Sequence, residues 1–184
     1  MVMFVSLMTE LTTFVWHTTK TNCPAEMMNV IANMPHLVYI YLEQFNVLDK
    51  LPESHHFPQS LRELHLSADV IKQDPMPILE KLPCLVVLVL QGYDGHTMCC
   101  SAQRFPRLQE LQLFEFSIEE WRMEIGAMPK LSHLTFAWCK KMSKLPEGLL
   151  HLPSFTYLDL SYMPLISEDD NTLKELREKG CEVE

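Results

Sequence analysis

The densest set of reactive side chains in this sequence is His96, Cys99 and Cys100, within the run GYDGHTMCCSAQ (92–103). An imidazole and two thiols are ligand types of zinc. Adjacent cysteines, however, are poorly placed to ligate one ion together, and no C-x-x-C lies nearby to complete a tetrahedron. The run is expected to be a loop, with no metal and no cofactor. His55 and His56, just before Phe57, read as a loop in the same way. The acidic pairs Glu119–Glu120 and Asp169–Asp170 are neighbours in sequence, which suits a solvated face or a helix start. Catalytic carboxylates would instead converge across a cleft. G-x-x-x-x-G-K-[ST], H-E-x-x-H and G-x-S-x-G are all absent, and five glycines leave no phosphate-cradling loop. The chain reads as a non-enzyme. A rival enzymatic reading would place hydrolysis around Asp94–Cys100 and would require its loss on substitution of His96.

Composition narrows the partners. The 184 residues are 47% apolar and 21% charged, a globular mixture rather than a disordered one. With 15 Lys+Arg against 24 Asp+Glu the net charge is −9. So acidic a surface argues against neutralising nucleic-acid phosphates or anionic lipid. The apolar run Leu85–Leu90 is far too short to span a bilayer, which takes roughly 20 residues. The apolar start, MVMFVSLMTELTTFVW, has no early Lys or Arg and contains Glu10, so it does not read as a secretory signal. The six cysteines are scattered rather than packed into a small secreted scaffold, and no N-x-S/T sequon occurs. A cytoplasmic setting is expected.

The elements that carry these residues repeat. MPHLVYIYL (34–42), LPCLVVLVL (82–90), FPRLQELQL (105–113), MPKLSHLTF (128–136) and LPSFTYLDL (152–160) share the template apolar-Pro-x-L-x-x-L-x-L. FPQSLRELHL (57–66) has one residue inserted after the proline, and LTTFVW (11–16) is a degenerate first copy. The leading residues Leu11, Leu37, Leu61, Leu85, Leu108, Leu131 and Phe155 are spaced by 26, 24, 24, 23, 23 and 24. L-x-x-L-x-L at that period is the leucine-rich repeat. Each x-L-x-L-x is a short strand with leucines inward and the alternating residues outward. One repeat cannot bury its own leucines, so repeats stack into a parallel sheet. The fold class is therefore α/β: a leucine-rich-repeat solenoid with a concave sheet of about seven or eight short strands. Irregular convex segments return the chain, Met76, Leu79 and Leu82 or Leu145, Leu149 and Leu152 completing the core. The proline ends each convex segment, since it has no N–H to donate and restricts its predecessor.

Three residues past the last strand leucine, where such repeats usually carry asparagine, stand Phe45, Asp69, Tyr93, Phe116, Cys139 and Met163; only Cys139 is a common alternative. The whole chain, 1–184, is expected to be one domain closed by a cap at 167–184. There Ser167 is read as the N-cap with Asp170 completing a capping box, Leu173 and Leu176 as the apolar stripe, Gly180 as the stop, and Cys181 and Val183 as a final strand one period after Leu160. No cap precedes Leu11, so an open strand edge is expected there. The chain would then be the distal part of a longer array or a truncated product of one.

What remains for function is the outward face. Its first column is Thr13, Tyr39, Glu63, Val87, Glu110, His133 and Tyr157. The second is Val15, Tyr41, His65, Val89, Gln112, Thr135 and Asp159, and the third His17, Glu43, Ser67, Gln91, Phe114, Ala137 and Ser161. Seven strands give a surface about 29 Å across. Large apolar groups among polar ones are typical of a protein-binding surface. Tyr39, Tyr41, Glu43, His65, Val87, Val89, Gln112, Phe114, Tyr157 and Asp159 are taken as its contact residues, with Tyr93, Phe116, Trp138 and Tyr162 as further exposed aromatics beyond the strands.

The segments GYDGHTMCCSAQRFPRLQELQL and SIEEWRMEIGAMPKLSHLTFAWCKKMSKLPEGLLHLPSFTYLDL carry more than a generic repeat. Their E-E-W-x-x-E-x-G-A-M-P-x-L block (Glu119–Leu131) and C-x-x-M-x-x-L-P-x-G-L block (Cys139–Leu149) closely resemble the C-terminal leucine-rich repeats of plant disease-resistance proteins. Those are nucleotide-binding immune receptors with an N-terminal coiled coil, and the resemblance covers essentially the whole chain. It implies a module that senses pathogen effectors or guarded host proteins and helps hold a nucleotide-binding switch inactive. Neither the coiled coil nor the nucleotide-binding module occurs in these residues. The alternative is the substrate receptor of a ubiquitin ligase or an intracellular signalling scaffold.

Overall fold

A computed structural model describes residues 12–21 and 30–184. Leu11, Cys23 and the stretch before the first strand, on which the open-edge expectation rests, lie outside them. Eight strands form one sheet: β1 (Thr13–Thr21), β2 (Tyr39–Leu48), β3 (Glu63–Ile71), β4 (Val87–Tyr93), β6 (Glu110–Phe114), β8 (His133–Ala137), β9 (Tyr157–Ser161) and β10 (Glu182–Val183). They lie in chain order, every neighbour parallel. The other elements include α1 (Met76–Leu79), β5 (Thr97–Cys100), β7 (Glu120–Met123) and α2 (Asn171–Glu178), with 3-10 turns at Ser54–His56 and Glu147–His151.

The leucine spacing sets the register. Phe14, Ile40, Leu64, Leu88, Leu111, Leu134 and Leu158 stand opposite one another across the ladder, and all are buried. Leu37, Leu61, Leu85, Leu108 and Leu131 form another buried row. A strand's alternation then leaves the other face free of core residues.

The recurrent proline occupies a turn. The N–H of Leu37 donates to Met34 O at 3.2 Å, that of Leu108 to Phe105 O at 3.3 Å, and that of Leu131 to Met128 O at 3.0 Å. Pro35, Pro106 and Pro129 thus stand second in a four-residue turn, where a fixed φ near −65° is wanted. The insertion in the third copy moves the turn along by one, Leu61 N–H donating to Pro58 O at 3.0 Å.

A second periodic feature follows the strands. Gln44, Gly92, Glu115, Trp138 and Tyr162, each two residues past the last inward strand position, have φ between 55° and 92°, all in the left-handed region. The next residue turns inward, so Phe45, Tyr93, Phe116, Cys139 and Met163 are buried. Cys139 takes up the hydrogen-bonding part of that position: its thiol lies 3.6 Å from Leu113 O and 3.7 Å from Ala137 O. The third repeat breaks the series. β3 has one residue fewer than β2 between Leu66 and its inward partner, so Ala68 pairs with Phe45 and is buried while Asp69 is exposed.

The convex side is not wholly irregular. β5 and β7 pair in parallel as a second, two-stranded sheet, burying Met98, Cys100 and Trp121 against the core. Cys99 and Cys100 therefore stand on a strand and not in a loop, while His96 lies in the bend that precedes it. The strand's alternation of exposed Thr97 and Cys99 with buried Met98 and Cys100 is the reason.

The C-terminal end also corrects one expectation. Asp170, not Ser167, caps α2: its Oδ1 accepts from Leu173 N–H at 2.9 Å. The Ser167 hydroxyl is used locally, accepting from Asp169 N–H at 3.1 Å. Leu173 and Leu176 are buried, and Gly180 ends the helix at φ 86°. The last strand joins β9 with Val183 opposite Leu158, so the 23-residue spacing from Leu160 does not set the register there.

Candidate functional site: the open face of the sheet

The outward residues line up as the strands do. Tyr39, Glu63, Val87, Glu110, His133 and Tyr157 are consecutive ladder partners, as are Tyr41, His65, Val89, Gln112, Thr135 and Asp159. The third column is interrupted: Ser67, Gln91, Phe114, Ala137 and Ser161 are in register, but the extra residue of β2 offsets Glu43, which faces His17 instead.

Of the ten contact residues taken from the sequence, Tyr39 is exposed and Tyr41, Glu43, His65, Val87, Val89, Gln112, Phe114, Tyr157 and Asp159 are half-buried. Rows about 4.8 Å apart crowd one another, so large side chains shield their neighbours. Ala137, in the outward third column, is buried. Tyr93 and Phe116 are not exposed aromatics at all; they pack edge-to-face in the core at 5.5 Å, because they stand on the inward position past the strand. Trp138 and Tyr162, one residue earlier in their repeats, are exposed and stack at 3.9 Å, with Lys140 Nζ 5.4 Å from the indole.

Polar groups on the face are tied together. Tyr41 donates its hydroxyl to Glu63 Oε1 at 2.7 Å, and His65 Nε2 lies 2.8 Å from the same oxygen. A carboxylate only accepts, so that nitrogen carries the proton. The Tyr41 and His65 rings meet at 4.5 Å. This hydrogen bond to Glu63, with burial second, pushes the Tyr41 phenol up to about 12. Tyr157 donates to Glu184 Oε2 at 2.9 Å, and that bond likewise pushes its phenol up to about 12. The amide of Gln112 donates to Glu110, and Asp159 Oδ1 accepts from both the hydroxyl and the N–H of Ser161, at 2.7 and 2.9 Å. Toward the strand ends Glu43, His65, Asp69, Val89, Gln91 and Phe114 line a hollow of about 620 Å³.

Two features were not singled out from the sequence. Glu63 and Glu110 are central to the face's hydrogen bonding, although their columns were visible. Where the strands begin, Arg62, Arg107 and Lys130 border a second hollow of about 580 Å³ together with Cys84. Their common signal is adjacency to the leading leucines at 61, 108 and 131.

The His96 region has no comparable arrangement. His96 Nδ1 lies 3.2 Å from Glu119 Oε1 on the exposed surface. Cys100 is buried with its sulfur accepting from Trp121 Nε1–H at 3.3 Å, and burial pushes its thiol far up. Burial also raises the Cys99 thiol, ahead of the nearby Asp74 charge. Neither is prepared as a thiolate ligand or nucleophile. Among the described residues no cluster of three or more His, Cys, Asp or Glu could hold a metal ion. Among them, too, no helix is long and apolar enough to cross a membrane.

Comparison with known proteins agrees with this architecture. The family model described as a leucine-rich repeat region matches residues 1–178. The chain is 40% identical over 131 residues to the probable disease resistance RPP8-like protein 4 of Arabidopsis thaliana, covering 68% of this chain and 14% of that protein. It is 39% identical over 131 residues to the disease resistance protein RPP8 of the same plant, with the same coverage. Over 110 residues it is 44% identical to the probable disease resistance protein At1g59620, covering 58% of this chain and 13% of the relative. The chain thus spans about one seventh of the length of the curated relatives it matches. In-register leucine rows, one parallel sheet in chain order and a family match over nearly every residue place the chain in the leucine-rich repeat region family of plant disease-resistance proteins.

Proposed function

We propose that this chain is the protein-recognition module of a plant innate immune receptor, using the open face of its sheet. The partner is a pathogen effector, a guarded host protein or the receptor's own nucleotide-binding domain, and contact with the last would help to keep the switch inactive. The observation that supports this reading is the face itself. It is an ordered surface of tyrosines, valines, Phe114 and hydrogen-bonded carboxylates with no core to cover on that side. Aromatic anchors amid ordered polar groups are what protein interfaces use. The relatives are named disease resistance proteins. An intracellular setting belongs to the proposal, supported by the five cysteines among the described residues being free, of which Cys100 and Cys139 serve as buried packing.

The test is site-specific photocrosslinking in leaf tissue challenged with a pathogen. A crosslinker replacing Tyr39 is expected to capture a protein partner, whereas one replacing the 70% exposed Ile125 on the opposite side is not. Equal capture at both positions, or none at Tyr39, would overturn the assignment of the face.

A further inference from the structure

Acid and base are distributed unevenly over this molecule. The three outward columns contain Glu43, Glu63, Glu110 and Asp159, and β10 and the residue after it add Glu182 and Glu184; no lysine or arginine stands in those columns. Each carboxylate paired with a lysine or arginine among the described ion pairs lies off that face: Asp49 with Lys72, Glu120 with Arg122, Asp169 with Lys174 and Glu168 with Arg177. On the open face the matching groups are instead a phenol, an imidazole, an amide or a hydroxyl. Glu63 is held by Tyr41 and His65, Glu43 by His17 at 2.9 Å, Glu110 by Gln112, Asp159 by Ser161 and Glu184 by Tyr157. Such donors fix the carboxylates in place without a lysine or arginine to neutralise them.

The hollow beside them has a matching construction. Glu43 and Asp69 stand in its wall, and Val89 and Phe114 supply its apolar part. A long cationic side chain buries its alkyl stem against apolar surface and directs its charge to a carboxylate. The rim where the strands begin has the opposite sign, with Arg62, Arg107 and Lys130, and would repel a cation displaced toward it.

We infer that the open face docks a cationic segment of a partner protein, with one arginine or lysine seated in the hollow between Glu43 and Phe114 and further cations over Glu63 and Glu110. This rests on the recognition reading and specifies the chemistry of the partner.

The probe is a short fluorescent peptide alternating arginine and glycine, with a glutamate–glycine counterpart, titrated into the chain at low and high salt. Binding of the arginine peptide, weakened by salt, is expected, and none of the glutamate peptide. Glu43→Gln combined with Glu63→Gln, which keeps hydrogen-bond acceptors but removes charge, should weaken it about tenfold or more. Glu147→Gln combined with Glu175→Gln removes the same charge from exposed positions elsewhere and should leave it unchanged. Gln91→Lys, which places a cation in the wall of the hollow and spares every carboxylate, should abolish it. No binding, or equal weakening by both glutamine pairs, overturns the inference. If the protein captured at Tyr39 is still captured at full strength by Glu43→Gln with Glu63→Gln, recognition stands and the cationic partner does not. If nothing is captured at Tyr39 while the peptide binds as stated, the cation site stands and the immune-recognition reading does not.

Discussion

The hydroxyl of Tyr41 on β2 donates to Glu63 on β3 across 2.7 Å, coupling neighbouring repeats on the face that has no core beneath solvent. The bond exists only while the phenol keeps its proton, which is why ionisation is delayed from 10.0 to about 12. A group whose pKa is higher folded than unfolded stabilises the fold fully below the unfolded value and loses that contribution as pH rises through the folded one. Tyr41 therefore contributes undiminished below pH 10 and loses its contribution between there and about 12. Following phenolate absorbance against pH, Glu63→Gln should move one tyrosine's ionisation down toward 10. An unchanged titration would show that Glu63 is not its cause.

Gly92 is required by two independent constraints. Its φ is +92°, and a Cβ there would stand 1.8 Å from the carbonyl oxygen of Ala68 in the preceding repeat. Gly126 has a similar φ of +87° but open space around it. In urea denaturation Gly126→Ala is expected to cost about 1 kcal/mol, the ordinary penalty of a left-handed side chain. Gly92→Ala should cost about 3 kcal/mol or more, because backbone atoms must move as well. Equal losses would mean that Ala68 can yield.

Inward and outward residues should respond to truncation in opposite ways. Leu111 is fully buried between Leu88 and Leu134, so Leu111→Ala opens a cavity and is expected to cost about 2–5 kcal/mol. Tyr41 is half-buried on the other side; Tyr41→Ala should cost about 1 kcal/mol or less. Similar losses, measured by the same denaturation curves, would put the strands one residue out of register.

The strand registers were legible because alternation has a period of two and the leucines mark it in every copy. The face was legible for the same reason, being what the leucines leave over. Its electrostatics were less so. Glu63 matters through Tyr41 and His65, one of which lies two residues away and the other in a different repeat, and no local pattern announces that triangle. The offset of Glu43 comes from one extra residue between Leu42 and Phe45, which leaves the leucine period intact. β5 and β7 carried their own signal, since Thr97, Met98, Cys99 and Cys100 alternate as a strand does. Each is only four residues long, too short to stand out from a loop without the partner that pairs it.

The adjacent thiols at 99 and 100 should behave as strand neighbours pointing opposite ways. Cys99 is exposed and Cys100 is buried beside Trp121, with burial raising both thiols and Cys100 much the more. With an aromatic disulfide reagent near neutral pH, Cys99 in the native chain is expected to react slowly, and Cys100 only on unfolding. Rapid modification of both would mean that the β5–β7 sheet opens readily in solution.

Asp170 joins two parts of the molecule. One carboxylate oxygen caps α2 through Leu173 N–H at 2.9 Å, and the other lies 3.4 Å from the N–H of Leu145 in the preceding convex segment. The Ser167 hydroxyl accepts from Asp169 N–H, within the turn that precedes the helix. Asp170→Ala is therefore expected to cost about 1 kcal/mol for the cap, with further loss where Leu145 N–H is left unpaired. Ser167→Ala should cost less than half of that. Leu173 and Leu176 bury the helix against the last repeats, so the loss should appear as earlier hydrogen exchange in α2 and β10 than in β4. If Ser167→Ala loosened the cap more than Asp170→Ala, the helix would begin a turn earlier, where the capping-box pattern alone places it.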